Sequence, residues 1–162
     1  MNLNQIHKIE LDGQIESAAK HYEEWLEEYP DDHHSVVDLA VLYWCVTDYG
    51  LHSGLKLPMD FVKLASSRSR VLLDDCISKT GDPEATFWRM YFDYMDWGRE
   101  IDEDVKQLLK NSPNCLTPLV FLVLNKVEPI GSEKVSKLRA SLIGSGPTKV
   151  KYITSVLDSC SW

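Results

Sequence analysis

GQIESAAKHYEEWLEEYPDD, residues 13–32, reads as one complete helix with punctuation at both ends. Gly13 opens it, and Ala18, Tyr22 and Leu26 recur at every fourth position and so share one face. Pro30 closes it, because proline has no N–H to donate and its ring clashes with the preceding turn. A helix with one apolar stripe must bury that stripe against a neighbour, so the segment predicts a helical hairpin protein rather than an isolated rod.

Outward from this stretch the same period continues. Residues 32–48 are helical by their spacing of three and four, with Val36, Leu39, Ala40 and Tyr43 as the recurring positions. Two glycines and a proline in residues 49–58 interrupt any helical period and mark a loop. A long helix is expected over 61–79, with Leu64, Ala65, Val71, Leu72 and Ile77 inward. Gly81 suits its C-terminus, and Pro83 suits the first turn of the next helix, 83–97. Further helices are expected over 102–111 (Val105, Leu108 and Leu109 inward), 118–127, 132–143 and 148–158, separated by breakers at Gly98, 128–131 and 144–147. With the shorter run Leu3 to Leu11 this makes about nine helices and no alternating strand. The fold class expected is all-α: antiparallel hairpins forming a short solenoid or a curled bundle, as one domain over 1–162.

Residues 13–45 resemble the tetratricopeptide repeat. Residues 13–30 match its second helix and stop signal, and Val36, Leu39, Ala40 and Tyr43 match the large, Leu, small and aromatic positions of the following repeat's first helix. Residues 83–113 are approximately similar. Trp25 departs from the pattern, which wants a small residue there, and the loop at 49–58 stands where a repeat of about 34 residues would not need one. The resemblance implies stacked hairpins that bind other proteins.

Length and composition suit one substantial core without disulfide or metal: 162 residues, 44% hydrophobic and 26% charged. The first residues lack a basic segment followed by an apolar stretch and a cleavage site, which predicts no secretory signal. The most apolar run, Leu116 to Leu124, is far short of the ~20 residues a membrane span needs. Cytoplasmic residence and no membrane partner are the expectation. Cys45, Cys76, Cys115 and Cys160 are widely spaced, with no Cys-x-x-Cys pair, and are expected as free thiols, three of them among apolar residues.

The net charge of −8 conceals an asymmetry. Residues 1–104 carry 22 acidic and 9 basic side chains, net −13, whereas 105–162 carry 3 acidic and 8 basic, net +5. The acidic two thirds would repel nucleic acid and attract a basic protein, or serve only as a solvated, solubilising exterior. The basic residues Lys134, Lys137, Arg139, Lys149 and Lys151 lack interleaved aromatics, so nucleic acid is not the expected partner. Within the acidic part, FWRMYFDYMDW (87–97) carries more aromatic area than one helix needs. Trp88, Tyr91, Phe92 and Met95 share one face, and Tyr94 and Trp97 project from the adjoining side as the expected exposed pair. Part of the stripe is packing. The alternative is a binding face composed of Tyr43, Trp44, Asp93, Tyr94, Asp96, Trp97, Glu100 and Asp102, on which rings anchor a basic partner and carboxylates steer it.

Catalytic patterns do poorly. His33 and His34 are adjacent, point about 100° apart on a helix, and would not share one ion; Asp32 reads as a helix cap. Asp102, Glu103 and Asp104 read as the acidic first turn of a helix, without the spaced oxygens of a calcium loop. No glycine pattern fits a phosphate cradle, so no enzyme, cofactor or metal is expected. Bacterial immunity proteins, which occlude a toxin's active site, are similar in size, acidity and the lack of a catalytic motif. The leading expectation is therefore a non-catalytic inhibitor of a cognate, basic, nuclease-type toxin domain. A tetratricopeptide-type secretion chaperone that cradles an extended peptide is the alternative, and a ligand-binding or enzymatic bundle a third. The apolar loop residues Leu51, Leu55 and Leu57 are a second candidate contact or a flap over the core.

Overall fold

A computed structural model of the chain describes residues 1–48, 54–127 and 130–159. Among the described residues it holds nine α-helices and no strand. The run Leu3–Leu11 forms α1, started by a capping box: the Asn2 side chain accepts from the Gln5 N–H while the Gln5 side chain accepts from the Asn2 N–H. Gly13, at φ +77°, takes the left-handed turn into α2 (Ile15–Glu28). Asp32 caps α3 (His33–Val46) by accepting from the Ser35 N–H, and it also receives the indole N–H of Trp25 at 2.8 Å. Trp25 packs against Tyr29 with ring centroids 4.1 Å apart and the planes tilted, so the large residue in this position closes the α2–α3 corner instead of crowding it.

α4 (Met59–Thr80) is the longest helix and lies along α3; Gly81, left-handed at φ +65°, ends it. Asp82 then caps α5 (Pro83–Trp97) through the Ala85 N–H, with Pro83 in the first turn, where its missing N–H costs nothing. α6 (Asp102–Asn111), α7 (Leu119–Asn125), α8 (Ser132–Ser141) and α9 (Pro147–Ser159) complete the array. Boundaries agree with the sequence reading within about two residues, the usual scatter of helix ends. Two expected inward positions on α4 are corrected. Leu64 and Val71 are 52% and 46% exposed, because α3 and α5 take the stripe containing Ala65, Leu72, Leu73 and Cys76. Residues 49–53 of the expected loop lie outside the described residues. Leu55 is exposed and Leu57 half-buried against the core.

α3 is the axis of the molecule. Val37 and Leu39–Val41 are as buried as Leu42 and Tyr43, so α3 is apolar nearly all round and packs against α2, α4, α5 and α9. Hairpins stacked in an open solenoid touch only their neighbours in sequence. Here the last helix returns to the first: α9 lies against α1 and α3 and also against α7, which curls the array into a bundle around one continuous core. Trp88, Phe87, Tyr91 and Phe92 of α5 and Phe121 of α7 fill that core, each under 2% exposed.

Candidate partner-binding site

Two polar clusters stand out, and they differ in burial. The first is interior and joins α9 to the rest. The Lys149 ammonium, 1% exposed, lies 2.7 Å from Asp38 of α3 and 3.1 Å from Glu84 of α5. Burial works against this charge, but the Asp38 and Glu84 carboxylates outweigh it and hold the ammonium pKa above the ordinary lysine value. Asp38 also accepts the Gly146 N–H at 2.7 Å, and Glu84 accepts the Thr117 hydroxyl at 3.1 Å. Beside this pair, Glu10 of α1 accepts the Thr148 N–H and the Tyr22 hydroxyl. These groups hold helix against helix: Lys149 and Asp38 are buried, and Glu84 is 17% exposed. The sequence placed Lys149 in a basic surface group; the structure removes it to the interior.

The second cluster is at the surface, around the C-terminal end of α5. Arg70 of α4 reaches Asp96 at 2.6 Å and Asp93 at 3.4 Å, and its guanidinium sits 4.3 Å above the Trp97 ring. Asp93, buried, also holds Arg89 at 2.5 Å and Arg99 at 3.8 Å; Arg89 continues to Asp74 and Arg99 to Asp104. Trp44 stacks on Phe92 at 4.7 Å and donates its indole N–H to Asp96. Tyr152 of α9 meets Trp44 edge-on at 5.4 Å and shares a hydrogen bond with Tyr91 at 2.8 Å. Trp44, Tyr152, Met95, Thr47, Asp48 and Asp96 bound a hollow of about 440 Å³ at the junction of α3, α5 and α9. Trp97 is 68% exposed and Met95 45%, apolar area left in water on a rim of carboxylates.

The structure brings together Trp44, Asp96 and Trp97 of the expected face, with Asp93 beneath them. Glu100 and Asp102 follow on the exposed connection into α6, where Asp102 sits in the acidic first turn. Tyr43 is corrected: it is 2% exposed, turned inward with its hydroxyl on Glu23. Asp93 is corrected as a steering charge, since three guanidinium groups surround it. Tyr94 is half-buried, edge-on to Phe121 with its hydroxyl donated to Asn125, so of the expected exposed pair only Trp97 stands clear. Met95 leaves the buried face because it lies at the last turn, beyond the reach of the core. Sequence reasoning missed Arg70 and Tyr152 as parts of this surface, because only contacts of long sequence separation identify them, and it placed Met95 on the packed face.

Asp32 caps a helix, as its position predicts, and His34 approaches Glu84 at 4.0 Å; no group of three potential metal ligands is present among the described residues. Burial pushes the Cys45 and Cys115 thiols up to about 12, and Cys76 is raised for the same reason, so all three are free cysteines held toward the thiol form; Cys160 lies outside the described residues. No described helix is long and apolar enough to cross a membrane. Comparison with protein-family models, curated proteins and solved structures finds no match.

Proposed function

We propose that this chain is a non-catalytic protein-binding module of the cytoplasm, which neutralises or holds one partner with a basic surface, in the manner of an immunity protein. The observation that carries the reading is the exposure of Trp97 and Met95 in the last turn of α5, with the exposed Glu100 and Asp102 following directly along the chain. A large ring in water adds little to the core, and the one contact given to this one is the Arg70 guanidinium 4.3 Å above it. Aromatic anchors ringed by charge suit a desolvated contact, and the surrounding carboxylates accelerate encounter with a cationic surface. The resemblance of residues 13–45 to a repeat family that binds proteins agrees with this.

Affinity capture from the native lysate, at low and high salt, tests the proposal when run in parallel on the parent, Trp97→Ala and the pair Glu100→Lys with Asp102→Lys. One stoichiometric basic partner should be retained at low salt and weakened at high salt. With that partner purified, the charge reversals should slow association, and Trp97→Ala should accelerate dissociation by about tenfold or more. Variants that bind like the parent would sink this surface as the site.

A further inference from the structure

A second hollow lies in the basic third of the chain. Leu109 of α6, Leu116, and Leu119 and Leu122 of α7 form the apolar floor of a hollow of about 600 Å³. Leu109 and Leu116 remain half-exposed there, so the floor is not closed by the protein itself. Its walls carry Lys106 and Lys110, one turn apart on α6, and Lys134 and Lys137, one turn apart on α8. Lys106 and Lys137 are engaged by Glu103 and Glu133 of their own helices, exposed pairs that an incoming carboxylate displaces at small cost. Lys110 and Lys134 have no carboxylate within ion-pair distance among the described residues.

We infer that this trough binds an acidic amphipathic segment of another protein, its apolar face on the leucines and its carboxylates against the two lysine walls. Charge complementarity selects this occupant. In a chain of net charge −8, four lysines line one apolar floor, two of them paired with a glutamate of their own helix, which leaves the hollow with an excess of positive charge. The cations come from two helices, so they match an occupant with acids along both flanks of an apolar stripe. A single-headed amphiphile would leave most of them unanswered. The site shares no residue with the acidic surface around Trp97, so the two stand or fall separately.

A fluorescein-labelled synthetic helix of Leu and Glu, spaced to give one apolar face with acidic flanks, is the probe, and a scrambled peptide of the same composition is its control. Fluorescence anisotropy with the full chain should show the patterned peptide binding at least about tenfold more tightly than the scrambled one. Lys110→Glu with Lys134→Glu should weaken it by about tenfold or more, with the circular-dichroism melt unchanged because both side chains are exposed. Equal binding of the scrambled peptide would reduce the trough to bulk charge attraction and overturn the inference, as would an unaffected double variant. Preferential binding to phosphatidylglycerol vesicles, lost in the same variant, would overturn it in favour of a membrane surface. A concentration-dependent dimer lost in that variant would assign the trough to a second copy of this chain.

Discussion

Lys149 keeps its charge in the interior because two carboxylates from other helices meet it there. Taking an ammonium out of water costs several kcal/mol, and the mutual attraction offsets this only while both partners are present. Lys149→Met fills a similar volume but leaves Asp38 and Glu84, 3% and 17% exposed, without a counter-charge. The expected loss is about 3–5 kcal/mol of unfolding free energy, read by chemical denaturation. Glu10 behaves differently. Burial raises its pKa above 4.5, against the hydrogen bonds from Thr148 and Tyr22 that favour the carboxylate. The folded chain therefore binds this proton more tightly than the unfolded chain, and the Glu10 contribution to stability is full below pH 4.5 and lost as pH rises through the folded value. Glu10→Gln, which cannot ionise, should gain on the parent as pH is raised from about 4 to 7, measured as the difference in Tm between them. A constant difference across that range would show that Glu10 stays protonated or is solvated. Neither residue announces itself in the sequence: a lysine among threonines and valines and a glutamate in a short helix look like surface groups.

At the scale of the element, the start of α9 shows where local reasoning ends. α1, α3 and α5 each carry a cap within three residues of the group it satisfies, and Asn2, Asp32 and Asp82 are legible as such. α9 opens instead on acceptors from distant helices: the Gly146 N–H goes to Asp38, 108 positions away, and the Thr148 N–H to Glu10, 138 positions away. Residues 144–147 read in sequence only as a breaker. The tertiary reason for Gly146 is contact, since an added Cβ would lie 2.9 Å from both the Asp38 Cβ and the Tyr22 hydroxyl. Gly146→Ala should push α9 off α2 and α3 and cost about 1–3 kcal/mol, whereas overpacking of this kind has no cause at Gly131, where a Cβ meets open space. Equal melting temperatures for alanine at these two positions would show that the close approach is not what selects glycine.

The whole molecule is closed by α9, and its unfolding should show it. Hairpins that stack linearly can lose terminal units one at a time. Here the last helix contributes Ile153, Val156 and Leu157 to the same core as α1 and supplies the charge that Asp38 and Glu84 require. Far-ultraviolet circular dichroism and tryptophan fluorescence should therefore report one coincident thermal transition, and separate midpoints would mean that the two ends unfold independently. Removing residues 147–159 should abolish that transition altogether. The charge asymmetry acts at this scale too, because the exposed Trp97 of the acidic part and a lysine-walled trough lined from α6 and α8 lie on one small bundle. Much of this was legible beforehand. The bounds of the described helices, the capping role of Asp32 and the exposure of Trp97 follow from period, breakers and hydrogen-bonding chemistry, which act over a few residues. The sequence by itself determined those local features and the uneven charge. Only the tertiary structure decided that the array curls shut, that Tyr43, Asp93 and Lys149 turn inward, and that Arg70, Met95 and Tyr152 join Trp44 at the surface. The physical reason is that burial and ion pairing depend on which helices meet, and that is set by core packing between residues tens of positions apart.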